Sequence, residues 1–409
     1  MNPMVKNDPK NILLLVGSIL AVLLGLIAGG GTILLGVVGF FVGGSASGNP
    51  AWVLAGTFFG LSLLSLPAGW VALRAMRGES LPVSKPSRPF IYGSLILLAV
   101  VLAIGSLAFQ GNVLTAVLGP PAHLLAALLP VMALVFVVLR GSPTISQRRG
   151  WGHFMAGLWL SPMSAMFLEI LAAIPLVLMI FLALNANLGD DLLLRFWEQP
   201  ELFPAEEAQA MLIGVLSQPL YAGLILAYLG LLVPLIEELI KSIGLLPLIR
   251  RQISDAEGFL GGVLAGAGYG LFEALFLGQP GPGWALLMLA RGGATMMHML
   301  TAGLTGLGFA RAKNNRSFAP LIGYYSLAVG LHALWNVAAV LMGIGVAREV
   351  LENANITPTS GAILAIGGSL VMLGLSAGAY IGLRRIPIKL GASEITFEPQ
   401  ISVDDSGSG

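Results

Sequence analysis

Four groups of ionisable side chains interrupt apolar runs in the second half of this chain. They are Glu237, Glu238 and Lys241; Glu273; Arg291 with His298; and His332 with Asn336. A charge at the centre of a membrane helix costs about 2.5–3.5 kcal/mol on insertion scales. Side chains of this kind face a protein interior or a watery cavity, and they mark functional sites by default. A carboxylate beside an imidazole can take a proton from water. A second imidazole or a carboxamide can donate to a developing oxyanion. Together these groups are equipment for hydrolysing an amide within a bilayer. Imidazoles with a carboxylate also suit zinc, which would activate the same water. His298, His332 and Glu273 are the candidate ligands on this reading.

Other hydrolytic chemistries are missing. The chain has no cysteine, which excludes thiol catalysis, disulfides and cysteine metal sites. No H-E-x-x-H occurs, and the adjacent Asp190 and Asp191 fall in an expected loop. The G-S-A-S-G segment at Gly44–Gly48 has a serine-motif look but lies in another expected loop, away from any histidine.

The elements that must position these groups follow from composition. Of 409 residues, 56% are hydrophobic and 10% charged, which indicates an all-α polytopic membrane protein. Runs of about 20 apolar residues suggest about ten transmembrane helices, at 11–42, 51–73, 90–109, 119–139, 158–184, 219–249, 258–278, 284–310, 319–344 and 361–383. The first is long enough for a break at Gly29–Gly31. Of the 21 Lys and Arg, Lys241 and Arg291 lie within spans and only Arg195 and Arg348 in outside loops, which leaves seventeen on the inside. That asymmetry places both termini in the cytoplasm. The run after Lys6 and Lys10 is too long for a signal-peptide core. A net charge of +1 gives no footprint for nucleic acid, and no such partner is expected. His123 and His153 fall near span ends and read as interfacial, and Glu169 reads as an isolated acid.

Depth ties the groups together. Glu237 and Glu238 lie 13 and 12 residues before Arg250, roughly 18–20 Å at helical rise. Glu273, His298 and His332, counted from their own span ends, reach roughly 18–22 Å. Glu237 and Lys241, four apart, can pair on one face, either as part of a site or only as a helix lock. Glu238 points about 100° away from Glu237, so the two are not expected to serve one purpose equally. Pro234 is placed to kink its helix and free a carbonyl. Gly258, Gly262, Gly266 and Gly270 form a small-residue face that lets a neighbouring helix approach closely.

The ordered set E-E-L-I-K (237–241), G-Y-G-L-F-E (268–273), Arg291 with His298 seven residues on, and H-A-L-W-N (332–336) resembles the PrsW family of intramembrane proteases. That family shares a superfamily with the prenyl-protein (CAAX) endoproteases. The resemblance covers about residues 230–340. It implies Glu237, Glu238, Glu273, His298 and His332 as catalytic candidates, with Arg291 and Asn336 at motif positions of supporting role. The last motif, which often ends in aspartate, ends here in Asn336, and Ala274 stands where a polar residue is common. By analogy the substrate is a membrane-anchored protein such as a single-span anti-sigma factor, and the location a bacterial or archaeal cell membrane. The resemblance leaves open a glutamate-only or a zinc-dependent mechanism.

The reading that results is an intramembrane endopeptidase in which Glu237 or Glu238 activates water, Glu273 assists, His298 and His332 stabilise the oxyanion or bind metal, and Lys241 tunes the acids. Residues 1–210 form a scaffold of about five helices with an acidic outside loop at 185–210. Residues 211–345 form the catalytic core, 346–389 a final helix and 390–409 a disordered cytoplasmic tail. Two rivals use the same residues. A proton-coupled transporter would use Glu/His pairs as a relay, although it commonly shows repeated halves, and no internal repeat is visible. A non-catalytic membrane scaffold would keep the polar layer for assembly.

Overall fold

The computed structural model describes residues 8–43, 50–79, 83, 85, 87–110, 114–142, 145–188, 218–243, 253–278, 281, 283–351 and 360–395. Among them the architecture is all helical. The helices are α1 (Pro9–Gly43), α2 (Pro50–Met76), α3 (Arg88–Ala108) and α4 (Leu114–Gly141). Then come α5 (Gln147–Met155, Ala156–Leu160 and Ser161–Leu188) and α6 (Pro219–Ala227, Tyr228–Leu232 and Val233–Lys241). The last four are α7 (Asp255–Leu277), α8 (Trp284–Asn315), α9 (Ala319–Leu351) and α10 (Ser360–Ile395). Of the expected acidic loop at 185–210, residues 185–188 end α5 and the rest lies outside the described residues, as does Arg250; of the expected disordered tail at 390–409, residues 390–395 continue α10 and the rest lies outside them.

Nine of these helices are long and apolar enough to cross a membrane. The exception to the expected ten is α8, whose run carries Arg291, His298 and several glycines and threonines. Yet α8 makes the most extensive helix contact of the fold, lying antiparallel along α7. Gly258 of α7 meets Gly306 and Ala310, Gly262 meets Ala302 and Gly303, Gly266 meets His298 and Met299, and Gly270 meets Thr295. The four-residue glycine spacing thus does what small residues do in lipid: it lets two backbones touch. Helix α7 is the hub, with 83% of its most apolar stretch buried, against 17% for α3. Because α8 lies against this hub, protein rather than lipid covers its polar face, and it needs no apolar surface there.

Both described chain ends lie at one end of the bundle. Asp8 pairs with Arg148 at 2.5 Å, and Gly141 packs against Pro387 and Ile388 of α10. The same end is laced by Arg149–Glu257 at 2.6 Å and Arg311–Asp255 at 2.7 Å. At the opposite end His123 is buried, not interfacial. Its Nε2–H donates to the Leu275 carbonyl at 2.9 Å, and its Nδ1 accepts from the Trp284 indole at 3.1 Å. His123 therefore locks α4 to the facing ends of α7 and α8. His153 is likewise buried.

Helix α1 runs unbroken through Gly29–Gly31. Two of its glycines are held by α2, where Gly25 abuts Phe58 and Ser62, and Gly29 abuts the Phe59 ring, while nothing lies within 4 Å of a Cβ at Gly30 or Gly31. Ser62 donates back to the Val22 carbonyl at 3.1 Å. Tertiary packing at Gly25 and Gly29 offsets the roughly 1 kcal/mol helix penalty of a glycine.

Candidate active site

Helix α6 carries the Glu-Glu-Lys group on its last turns, after a wide π-helical turn at Tyr228–Leu232. The cause is local. Pro234 has no N–H to donate, and Val233 N–H already bonds five residues back to the Tyr228 carbonyl. In that register the Leu229 carbonyl has lost its backbone donor. Asn336 supplies one, its Nδ2 donating to Leu229 O at 2.9 Å. So Asn336, read as a supporting residue, bonds the backbone of α6 rather than the ionisable groups. Tyr325 adds a second anchor through the Leu235 carbonyl at 2.8 Å.

The other predicted residues converge. Lys241 Nζ donates to Glu238 Oε1 at 2.8 Å and to Glu237 Oε2 at 3.1 Å. The sequence expectation separated these two acids by their directions. The long lysine side chain reaches both, because it lies one turn beyond each at the i+3 and i+4 positions. Lys241 also sits 2.7 Å from His298 Nδ1 and 4.4 Å from the centre of the Tyr269 ring, a cation–π contact. His298 Nε2 lies 2.8 Å from Glu273 Oε2, which also accepts from Arg291 Nη2. On α9, His332 Nδ1 lies 2.8 Å from Glu238 Oε1, and Thr301 Oγ1 is 3.0 Å from the same oxygen. The two imidazole rings stand edge to face, 5.0 Å apart.

Donor rules then fix where the lone pairs point. An ammonium only donates, so His298 accepts at Nδ1 and presents Nε2–H to Glu273. A carboxylate only accepts, so neutral His332 presents Nδ1–H to Glu238 and keeps its lone pair on Nε2. The two lone-pair nitrogens, His298 Nδ1 facing Lys241 and His332 Nε2, lie 3.9 Å and 3.8 Å from Glu237 Oε2. Glu237, His298 and His332 each offer one ligand atom, all within 4.8 Å of one another. Tetrahedral zinc at about 2.0–2.1 Å from each ligand needs donors about 3.3 Å apart, so the two Glu237–imidazole separations would contract by about half an ångström and the widest separation in the set by up to about 1.5 Å. Each imidazole is also oriented by a carboxylate on its far nitrogen, the usual support for a metal-binding histidine. Glu273, a sequence candidate for metal ligand, lies outside this trio and faces the other ring nitrogen of His298.

With neutral imidazoles, the three carboxylates and two cations leave one negative charge in excess. Glu238 and Lys241 are sealed from outside, whereas the Glu273 and Arg291 side chains are each 16% exposed. Glu273 and Arg291 thus form the least enclosed side of the cluster. One oxygen of Glu238 is buried with no hydrogen-bond partner among the described residues.

Residues 203–358 match the PrsW family of intramembrane metalloproteases. No curated protein and no solved structure matches the chain. The PrsW match contains every residue of the cluster and the helices α6 to α9 that carry it. It supports a membrane protease acting on protein, and the donor set fits the metal-dependence in the family's description. Helices α1 to α5 precede it. They contribute Ser161 of α5, whose hydroxyl lies 3.5 Å from the Ile240 carbonyl beside Lys241.

Sequence reasoning overlooked two members of the cluster. Thr301 lies one turn beyond His298 on the same stripe of α8, and that spacing was the available signal. Tyr269 lies one turn before Glu273 within the G-Y-G-L-F-E motif. Glu169, read as isolated, has a buried carboxylate oxygen without a partner among the described residues, and its backbone carbonyl accepts from Tyr228 at 2.8 Å.

Proposed function

We propose that this cluster is the hydrolytic centre of an intramembrane endopeptidase that cleaves a membrane-anchored protein. The observation that carries the reading is the convergence of Glu237, His298 and His332, from three helices, on one point. In peptide hydrolysis a water oxygen bonds the scissile carbonyl carbon and the C–N bond breaks. A water proton passes to a carboxylate and then to the leaving amine.

Glu237 is the proposed carboxylate. Lys241 is its one hydrogen-bond partner among the described residues, whereas Glu238 is held by Lys241, Thr301 and His332. Glu273 and Glu238 orient the two imidazoles, Arg291 fixes Glu273, and Lys241 balances charge. Glu237, His298 and His332 would hold a zinc ion, which when bound supplies a Lewis acid and a water acidified to near neutrality. One oxygen of Glu237 then remains to take the proton.

The test is cleavage of a tagged single-span protein by the full chain in membranes. Glu237→Gln and His298→Ala should each lose about 10²-fold or more while the protein still accumulates in the membrane. Wild-type rates in both variants would end this reading.

A further inference from the structure

Behind the candidate active site, on the opposite flank of α8, lies a cavity. It is an open groove of about 720 Å³ between α3, α4, α8 and α10. Its walls are apolar through most of their length, but one end carries Arg88, Arg140 and Arg384, with Tyr92 and Tyr380 beside them. Among the described residues no Asp or Glu lines the groove. The arginine end is the end of the bundle at which Gly141 meets Ile388.

Depth decides what fits. Along α3 the lining runs from Arg88 to Leu98, about 15 Å at helical rise. That is half of a hydrocarbon core about 30 Å thick, so the groove spans a single leaflet. An apolar slot of one-leaflet depth, closed by three cations and edged by two tyrosines at headgroup level, matches a lipid with a negative head. Basic pockets between membrane helices recognise such heads by charge, and arginine's planar fork suits phosphate.

We propose that this groove is a binding site for one anionic phospholipid, its phosphate held by Arg88 and Arg384 and an acyl chain laid along α8. The deep end is lined by Gly292 and Gly293, directly after Arg291 of the active cluster. The lipid thus braces the reverse face of the helix that carries His298.

The experiment measures lipid retained by the purified full chain in detergent, by native mass spectrometry. The chain is offered phosphatidylglycerol and phosphatidylcholine of identical acyl chains. Wild type should keep one phosphatidylglycerol, in at least tenfold preference over phosphatidylcholine. Soluble glycerol phosphate at millimolar concentration should not displace it. Arg88→Gln with Arg384→Gln should lose the preference while still binding either lipid weakly. Gly292→Leu should reduce retention of both lipids: a Cβ there lies 3.7 Å from Pro130, in ordinary contact, and the added side chain fills the slot.

Equal retention of the two lipids by wild type overturns the proposal, as does an unchanged preference in the arginine variant. Displacement by glycerol phosphate alone would also overturn it, by showing a phosphate site without a lipid. The wild-type competition needs no variant, so a poorly folding mutant leaves the test intact.

Discussion

Replacing Gly266 by alanine adds one methyl group at the point where α7 presses on the backbone of His298. That methyl would lie 2.7 Å from the His298 carbonyl carbon and 2.8 Å from Met299 Cα. Non-bonded carbons rest at about 3.5–4.0 Å, so α8 must withdraw by about 1 Å. The bond from His298 Nε2 to Glu273, now 2.8 Å, then stretches beyond hydrogen-bond range. Overpacking of this kind costs about 1–3 kcal/mol, only partly offset by the roughly 1 kcal/mol helix preference of alanine over glycine. A 1 Å misplacement of a reacting group costs about 10²-fold in rate. The control is Gly323→Ala on α9, where nothing lies within 4 Å of the new Cβ and stability should stay within about 0.5 kcal/mol of wild type. Both variants are assayed by thermal unfolding in detergent and by cleavage of the single-span substrate in membranes. If Gly266→Ala melts and cleaves like Gly323→Ala, backbone contact between α7 and α8 does not position the site.

Lys241→Met should bind zinc at least tenfold more tightly in calorimetric titration, because the ammonium now bonds two of the three donors that the ion needs; weaker binding would show that Lys241 instead builds the site. Removing zinc with a chelator should abolish cleavage and lower the melting temperature, since an ion bound only by the folded state stabilises it. Zinc, and not magnesium, should restore both, given two imidazole donors. Asn336→Ala should lower stability by about 1 kcal/mol through the orphaned Leu229 carbonyl while leaving zinc affinity unchanged; lost zinc binding would move Asn336 into the site. Glu273→Gln should weaken zinc by about 10–100-fold, the usual effect of losing the group that orients a ligating histidine, without altering the number of ions bound.

The helices were legible because a bilayer demands long apolar runs, and α1 through α7 with α9 and α10 obey that demand. Counting depth along four spans was enough to foresee one polar layer, since helical rise is nearly constant. The Gly258–Gly270 stripe announced its contact because close approach in lipid has few other solutions. What stayed hidden depended on side-chain reach and backbone register. Lys241 touches both glutamates, a choice of rotamer that no spacing states. Asn336 turned to α6 because Pro234 forces a wide turn upstream, and a proline announces a lost donor without saying which carbonyl is stranded. His123 was misplaced because nearness to a span end reports depth and not burial. Glu237 rather than Glu273 completes the metal-capable set because the glutamates approach the imidazoles from opposite sides, which only the packing of α6 against α7 and α8 decides.

The low apolarity of α8 bears on how the chain is made. A segment bearing Arg291, His298 and a string of glycines has little drive to leave the insertion machinery for lipid by itself. Its shelter is assembled partly from α9 and α10, which are synthesised later. Newly made α8 therefore has to wait, docked on α7 or held at the translocon, until its later neighbours emerge. A nascent chain halted just after Asn315 should leave this helix accessible to water, and one extended through Ile395 should hide it.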